Sequence, residues 1–378
     1  MERKKILKIA VPVLAAAVLF LIVLKFFYSQ GVFVSAQTKK CIECHLKENI
    51  HTAQIEEWKH SSHAKAGVGC YECHRAEKGD PDARNDNGFT ISTIVSPKDC
   101  ARCHKQEYEE FIGSHHAKAG EILGSADNYL GEVVEGAGAS TQGCQSCHGG
   151  IVKVNEGGKL DHSSWPNMGI GRLNPDGTKG SCAACHSRHR FSLAVARSPD
   201  ACAKCHMGPD HPQKEIFDES KHGINYYAHA SDMKLKEKDW ILGKQYTQAP
   251  NCVTCHMGGH KTGVRTHEVG GRISWTLRPA ISVKQQDWEK KRAEMKKVCL
   301  NCHGPEWVDN YYVQFDNSVS LYNERYAKPA AEIMAALSKK GVLTKTPFDE
   351  EIEWVYYELW HHEGRRARHG ASMMGPDY

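Results

Sequence analysis

Cysteine and histidine occur together in this chain in one repeated pattern, Cys-x-x-Cys-His. The chain has 378 residues with 16 cysteines and 23 histidines, and every cysteine lies in one of eight copies of the pattern. The copies are Cys41, Cys44 and His45; Cys70, Cys73 and His74; Cys100, Cys103 and His104; Cys144, Cys147 and His148; Cys182, Cys185 and His186; Cys202, Cys205 and His206; Cys252, Cys255 and His256; and Cys299, Cys302 and His303. No cysteine is left over, so one kind of chemistry accounts for all the thiols.

The spacing of the pattern suits covalent attachment of haem. Two thiols three residues apart lie on one side of a turn or short helix and can form thioethers with the two vinyl groups of one porphyrin. The histidine that follows is then held against the iron as its proximal ligand. Cys-x-x-Cys-His is the attachment pattern of haem c, and the eight copies predict eight covalently bound haem c groups.

Three other uses of paired cysteines fit less well. A zinc site does not need a histidine after each cysteine pair. A disulfide framework has no use for the histidines, and a thioredoxin-type pair needs a βαβ context that the sequence lacks. The charge is nearly balanced, with 49 Lys and Arg against 45 Asp and Glu, which argues against a nucleic-acid-binding protein.

The ratio of residues to motifs indicates the fold class. Each motif has about 47 residues, so the haems themselves must supply much of the core. We therefore expect a mainly α fold, with short helices and long loops wrapped around stacked haems and little or no sheet. Glycine-rich stretches at 136–150 and 169–180 are typical of such loops.

Four segments follow from the positions of the motifs. Residues 1–36 hold a basic start, an apolar run at Ile9–Leu24 and the small-residue sequence Val34-Ser35-Ala36, and we expect either a membrane anchor or a cleaved signal. Both alternatives place the rest of the chain on the periplasmic side of a bacterial cytoplasmic membrane. Residues 37–140 form a lobe with three haems, residues 141–303 a lobe with five, and residues 304–378 a helical segment. Its clearest helix is predicted at Asp349–Arg368.

An internal repeat indicates where the second axial ligands of the irons lie. The element aromatic-x-x-Ser-x-His occurs three times and places His63, His116 and His222 at equivalent positions. We expect these histidines to bind iron from the side opposite a proximal histidine. His229, His260 and His267 are further candidates. His189 and His260 lie too close to their own motifs to serve the same haem, but they remain available to a neighbouring haem. A haem with two histidine ligands suits electron transfer, whereas one with an open position can bind a substrate.

Several separate stretches resemble the octahaem hydroxylamine oxidoreductase family. They are the run Cys202 to Gln213 with Ser220-Lys221-His222-Gly223, the segment Trp165 to Arg172, and the segment Trp360 to Gly370. The resemblance spans roughly residues 40–378 and implies that the fourth haem, on Cys144, Cys147 and His148, is the five-coordinate active site. It also implies that Asp210 and His211 are the distal acid–base pair, and that the subunits form a homotrimer.

The resemblance further implies a reaction on small nitrogen compounds. Oxidation of hydroxylamine to nitric oxide or nitrite is the expected activity, with hydroxylamine, hydrazine or nitrite as the substrate class and the other haems as an electron relay. In the oxidative members a tyrosine of a neighbouring subunit is joined to the catalytic haem, and Tyr378 matches it. Family members continue beyond that position, so the chain is expected to be a fragment or a short form.

Two other functions remain open from the sequence. Reductive members of the family, which convert nitrite or hydroxylamine to ammonia, lack the tyrosine link. A multihaem electron conduit without catalysis would have six ligands on every iron. In each case the expected partner is a periplasmic cytochrome c or a quinone-linked redox protein of the membrane, and no nucleic acid is expected.

Overall fold

The chain folds mainly into helices, as its sequence predicts. A computed structural model describes residues 34–124, 138, 143–209, 211–259, 261, 263 and 265–375. The α-helices are Ala36–Lys47, Thr52–Lys59, Ser62–Lys65, Cys70–His74, Pro97–Ala101, Lys105–Gly113, Gln145–His148, Leu193–Arg197, Pro199–Ala203, Gln213–Glu219, Lys221–Ala228, Cys252–His256, Trp288–Cys299, Pro305–Tyr322, Lys328–Lys339, Glu351–Tyr357 and Gly364–Met373. Most are short, and loops and single 3-10 turns join them.

Strands are few and short in the described residues. Ala83–Asp86 pairs with Phe89–Ser92, Val154–Asn155 with Lys159–Leu160, and Trp275–Thr276 with Val283–Lys284. Each pair is antiparallel and two-stranded. No pair extends into a larger sheet, so helices and loops carry the architecture in this part of the chain.

The chain divides into two compact units. The first comprises the described residues up to Arg75 together with Arg188–Phe191. Its core is small and consists of Val34, Trp58 and Ala64, with Ile42 packed against them. The indole N–H of Trp58 donates a hydrogen bond to the carbonyl of Val68 at 2.9 Å. An aromatic side chain with a satisfied polar atom thus anchors the short helices that surround it.

The second unit comprises the described residues of 76–187 and 192–378, and these residues form two apolar clusters. One cluster contains Phe217, Tyr226, Met233, Trp240, Leu242, Tyr246, Ala249 and Val253. The other contains Trp275, Leu277, Val308, Tyr312, Phe315 and Val319. Both clusters are rich in aromatic residues, which bury a large area per side chain.

Two long helical runs form the C-terminal part of the second unit. In the first, a π-helical turn at Asn323–Ala327 joins Pro305–Tyr322 to Lys328–Lys339. Pro329 has no N–H for the carbonyl of Arg325 and crowds it, and the widened turn accommodates that defect. In the second, a π-helical turn at Glu358–Glu363 joins Glu351–Tyr357 to Gly364–Met373, so the helix predicted at Asp349–Arg368 exists and extends further.

Some predictions fall outside the described residues. The apolar run of the expected anchor lies within residues 1–33, and the lobe boundary near residue 140 also lies outside the described residues. Both remain predictions. Throughout the part of the chain that the structure describes, no helix combines the length and the apolar composition that crossing a bilayer requires.

Candidate functional site

In each Cys-x-x-Cys-His motif the backbone winds through about one helical turn, and the first motif lies within the longer helix Ala36–Lys47. The histidine N–H donates to the carbonyl of the first cysteine at 2.9 Å in the third motif and at 3.0 Å in the fifth, sixth and eighth motifs. This i to i+4 bond puts both thiols and the imidazole on one side of the turn. The 16 cysteines form no disulfides, so the thiols are available for thioether bonds.

Two proximal histidines have their outer ring nitrogen occupied by a main-chain carbonyl. Nδ1 of His148 lies 3.3 Å from the carbonyl oxygen of Ala119, and Nδ1 of His256 lies 3.2 Å from that of Val269. A carbonyl oxygen can only accept, so Nδ1 carries the proton and Nε2 keeps its lone pair. This is the arrangement of a metal-bound histidine whose orientation an outer hydrogen bond fixes.

Five proximal histidines face a second histidine across a gap of constant width. The distances between ring centroids are 6.5 Å for His74 and His189, 6.0 Å for His206 and His116, 6.4 Å for His148 and His211, 6.4 Å for His186 and His267, and 6.1 Å for His303 and His222. Two metal–nitrogen bonds of about 2 Å and two nitrogen-to-centroid distances of about 1 Å add up to about 6 Å. The gap therefore fits one iron atom between each pair, and the residues present fit haem c.

The predicted repeat is a structural module that builds two of these pairs. In each copy the aromatic residue is buried, and the serine N–H donates to its carbonyl: Ser61 to Trp58, Ser114 to Phe111 and Ser220 to Phe217, at 2.8, 2.9 and 3.1 Å. The serine ends one helix, and in two copies its hydroxyl caps the next helix. In two copies the histidine two residues after the serine lies opposite a proximal histidine. His116 lies opposite His206, and His222 lies opposite His303.

The other predicted distal ligands have different surroundings. His267 lies opposite His186, whereas the ring of His63 contacts Phe191 at 4.7 Å. The side chain of His229 is 47 % exposed and lies 3.5 Å from Asp232, which is not the setting of a buried ligand. His260 lies outside the described residues. His189, which the sequence left open as a ligand of a neighbouring haem, lies opposite His74.

Burial keeps several of these imidazoles uncharged. Removal from water lowers the pKa of His116, His189 and His206 to about 4, because a low-dielectric environment disfavours the charged ring. The pKa values of His222, His256 and His267 are lowered for the same reason. Neutral imidazole is the form that binds a metal, so the rings are ready to ligate iron at neutral pH.

Cysteines of different motifs contact one another. The thiol of Cys100 lies close to that of Cys182, the thiol of Cys147 to that of Cys205, and the thiol of Cys202 to that of Cys252. Because each thiol is an attachment point for a haem edge, these contacts bring the third motif next to the fifth, the fourth next to the sixth, and the sixth next to the seventh. Closely spaced haems are the arrangement that passes electrons along a chain.

The fourth motif is held by a glycine-rich clamp. Ile170 and Gly171 donate backbone hydrogen bonds to the carbonyls of Cys147 and His148, at 2.9 and 3.0 Å. A Cβ atom on Gly169 would lie 2.0 Å from the amide nitrogen of Gly149, and one on Gly171 would lie 2.4 Å from that of Gly120. Glycine is required here because main chain packs directly on main chain.

A buried arginine completes the clamp. Arg172 is 1 % exposed, and its Nε donates to the side-chain oxygen of Asn174 at 2.6 Å. One terminal nitrogen donates to the carbonyl of Asn167 at 3.1 Å. The guanidinium also lies 5.6 Å from the ring centre of Trp165. The segment Trp165 to Arg172 therefore positions Cys147 and His148. In the sequence, only its resemblance to the octahaem family had marked this segment.

Of the four predicted catalytic residues, the structure describes two. His211 lies opposite His148, on the loop between the sixth motif and the helix Gln213–Glu219. Asp210 and Tyr378 lie outside the described residues and remain predictions. A further histidine was not assigned from the sequence: His369 on the helix Gly364–Met373 lies 3.4 Å from Gln213. Its signal in the sequence is its place in the segment Trp360 to Gly370, one of the stretches that carry the resemblance.

Comparisons with known proteins agree with this geometry. A family model described as a multi-haem cytochrome with seven Cys-x-x-Cys-His motifs matches residues 175–348, and one for cytochrome c7 and related cytochromes c matches residues 132–207. A curated relative from Kuenenia stuttgartiensis, a probable nitrite reductase–hydroxylamine oxidoreductase fusion protein, is 26 % identical over 350 residues. The match covers 74 % of this chain and 36 % of that protein, so the chain spans about a third of its length.

Two solved structures share the fold. One is a hypothetical multiheme protein, with a TM-score of 0.82 and 26 % identity over 94 % of this chain and 93 % of that one. The other is the reducing HAO-like protein complex of Kuenenia stuttgartiensis, with a TM-score of 0.67 and 19 % identity over 90 % of this chain and 80 % of that one. The second likeness concerns the fold alone.

The motifs, the paired histidines and the fold define a multihaem c-type cytochrome with covalently bound haem c. Within that class, the chain is similar in sequence to a probable nitrite reductase–hydroxylamine oxidoreductase fusion protein and shares the fold of an HAO-like multihaem protein.

Proposed function

We propose that the chain carries eight haem c groups and acts on small nitrogen compounds at the haem attached to Cys144 and Cys147. Its reaction is the oxidation of hydroxylamine to nitric oxide or nitrite. The observation that carries the proposal is the position of His211, whose ring centroid lies 6.4 Å from that of the proximal His148. In this role His211 would leave the iron free for the substrate and would exchange protons with the bound nitrogen compound from the same side.

The residues around the site have separate roles. Haem iron supplies a binding position for the substrate nitrogen and takes up or gives electrons. His211 moves protons, since an imidazole exchanges protons readily near neutral pH, and Asp210 orients its ring. The clamp of Gly169, Gly171 and Arg172 keeps His148 in place through main-chain bonds.

Electrons leave or enter through the neighbouring motifs. The contact between Cys147 and Cys205 makes the sixth motif the immediate neighbour of the proposed site. From there, the contact between Cys202 and Cys252 continues to the seventh motif. Removal of several electrons from one substrate needs such a relay, because each haem accepts only one.

The reductive direction is the second candidate. The curated relative is named as a fusion of a nitrite reductase and a hydroxylamine oxidoreductase, and the match covers 36 % of it. In this case the chain reduces nitrite or hydroxylamine to ammonia, with the same residue roles and the opposite flow of electrons. The predicted link between Tyr378 and the catalytic haem separates the two directions, since it is expected of oxidative members.

A catalytically silent electron conduit is the third candidate. The separation of His148 and His211 falls within the 6.0–6.5 Å range of the other four pairs, so His211 is also placed to ligate iron. A conduit has only six-coordinate haems, and neither substrate would change its spectrum.

The experiment that tests the proposal compares both directions in one preparation. The purified holoprotein is assayed for hydroxylamine oxidation with an oxidised cytochrome c, and for nitrite and hydroxylamine reduction with a reduced viologen dye. Mass spectrometry of the digested protein shows whether the haem peptide Cys144–His148 carries a second peptide ending in Tyr378. Oxidation together with the link supports the proposal. Reduction without the link supports the second candidate, and no turnover in either direction supports the third.

The redox partner and the assembly are part of the proposal. The partner is a periplasmic cytochrome c or a quinone-linked redox protein of the membrane. The chain acts outside the cytoplasm, where c-type cytochromes are generally found, either anchored through residues 1–36 or released after cleavage. A homotrimer is the proposed assembly, because a tyrosine link between subunits requires a neighbouring copy.

A further inference from the structure

A side-chain amide joins the sixth motif to the C-terminal helix. Oε1 of Gln213 lies 3.3 Å from Nδ1 of the proximal histidine His206. Nε2 of Gln213 lies 3.4 Å from Nε2 of His369. Gln213 begins the helix Gln213–Glu219, and His369 belongs to the helix Gly364–Met373, which packs against it.

The hydrogen-bond directions in this chain of three residues follow from haem attachment. With Nε2 of His206 facing iron, Nδ1 carries the proton and donates to Oε1 of Gln213. The amide NH2 of Gln213 then donates to Nε2 of His369, which must accept. Burial lowers the pKa of His369 to about 3, so its ring is uncharged at neutral pH and can accept this bond.

This outer contact differs from those of two other proximal histidines. His148 and His256 donate to main-chain carbonyls, those of Ala119 and Val269. His206 donates to a side-chain amide that itself donates onward. A hydrogen bond that leaves the amide nitrogen polarises the amide oxygen and makes it a stronger acceptor. The strength of the bond to His206 therefore depends on His369.

We propose that Gln213 and His369 are positioning residues that set the reduction potential of the haem attached to Cys202 and Cys205. A stronger acceptor at Nδ1 makes the imidazole a more basic ligand, and a more basic ligand stabilises ferric over ferrous iron. The pair therefore lowers the potential of this haem.

The effect of Gln213 and His369 matters because the haem of the sixth motif lies next to the proposed catalytic haem. The thiol of Cys205 contacts that of Cys147, so this haem is the immediate neighbour of the fourth motif. Its potential determines how favourable the first electron transfer from or to the proposed catalytic haem is. The inference itself requires only haem c at the sixth motif and does not depend on the substrate or on turnover.

The test is a redox titration of the holoprotein without substrate, followed by electron paramagnetic resonance of the individual haems. Gln213→Glu keeps the shape and adds a negative charge, so one haem should shift to lower potential. Gln213→Leu removes the acceptor, so the same haem should shift to higher potential. His369→Leu should shift it upward by less, because Gln213 then keeps its contact with His206 but loses its polarising bond. His369→Gln, which retains an acceptor, should restore the wild-type value.

Gln314 provides the matched control, because its side chain is exposed on the helix Pro305–Tyr322. Gln314→Glu adds the same charge and should leave this haem unchanged. Intact mass establishes the haem content of each variant, and if Gln213→Glu holds less than a full complement, Gln213→Leu and His369→Leu decide the question. Coincident titration curves for the wild type, Gln213→Leu and His369→Leu would overturn the inference, as would an equal shift in Gln314→Glu. If the potentials shift as expected but the protein turns over neither substrate, the proposed function is wrong and the inference on Gln213 and His369 stands.

Discussion

The imidazole rings of His148 and His211 face each other with centroids 6.4 Å apart and planes inclined by 74°. His148 closes the fourth motif, and His211 lies on the loop that follows the sixth. Two different haem-binding segments therefore meet at one point, and the thiol contact between Cys147 and Cys205 joins them a second time. Under the proposed function, this arrangement would couple proton transfer at His211 to electron transfer along the motifs.

Replacement of His211 tests its chemical role. His211→Ala should lower turnover by roughly 10²–10⁴-fold, the usual contribution of a general acid–base residue. The count of attached haems should not change, because no thioether bond is involved. His229→Ala is the control, since that side chain is 47 % exposed beside Asp232 and should leave turnover unchanged. Equal turnover in both variants would exclude His211 from the reaction.

Replacement of Gly169 tests the clamp behind the fourth motif. A Cβ atom at this position would lie 2.0 Å from the amide nitrogen of Gly149, so Gly169→Ala must push two main-chain segments apart. We expect a loss of unfolding free energy of about 1–3 kcal/mol, measured by denaturant unfolding. Gly304→Ala is the control, because an added Cβ there meets nothing within 4 Å. If both variants unfold at the same denaturant concentration, the clamp does not depend on this close approach.

The ion pair between Asp316 and Arg292 should stabilise the second unit. Arg292 donates two hydrogen bonds to the carboxylate, at 2.6 and 2.8 Å, and the indole of Trp275 donates a third at 2.8 Å. Asp316→Asn should cost about 1–3 kcal/mol of unfolding free energy. Asp309→Asn removes an exposed ion pair with Lys296 and should cost about 0–1 kcal/mol. Equal losses of unfolding free energy in the two variants would show that the Asp316–Arg292 pair stabilises the fold no more than the exposed Asp309–Lys296 pair.

The ion pair between Asp316 and Arg292 also predicts how the unfolding free energy depends on pH. Burial alone would raise the pKa of Asp316, but the hydrogen bonds from Arg292 and Trp275 and the nearby positive charges hold it below its ordinary value. A carboxyl group with a lowered pKa in the folded state stabilises the fold above its unfolded pKa of about 3.9. The difference between wild type and Asp316→Asn should therefore be constant near neutral pH and shrink below about pH 4. A difference that persists in acid would mean that the charge of Asp316 is not its source.

The number of haems can be counted directly. The intact mass of the holoprotein should equal that of the polypeptide plus eight haems, one for each motif. The double variant Cys144→Ala with Cys147→Ala should lose the mass of one haem and retain the rest. Loss of several haems together would instead show that the fourth motif is needed for attachment at its neighbours.

The sequence predicts the local parts of these sites well, because they depend on residues close together in the chain. The motif turns need only five consecutive residues, and the repeat module needs only six. His116 and His222 could be selected in this way, since the serine that ends one helix fixes the histidine two residues later. The helical C-terminal segment follows from its apolar spacing in the same manner.

The sequence could not predict which histidine lies opposite each proximal histidine, because this depends on how segments that are distant in the chain come together. His189 follows His186 by three residues, yet it lies opposite His74. His229 satisfies the same compositional criteria as His267 but lies at the surface. The link through Gln213 and His369 also joins residues that are remote in sequence, and no local pattern identifies it.

The most direct test of the proposed function is the spin state of the haem on Cys144 and Cys147. Electron paramagnetic resonance of the oxidised holoprotein should show one high-spin haem among low-spin ones, and this signal should change when hydroxylamine or nitrite is added. The double variant Cys144→Ala with Cys147→Ala should lack it. A spectrum with low-spin haems only, unchanged by either compound, would contradict the account and make the protein an electron conduit.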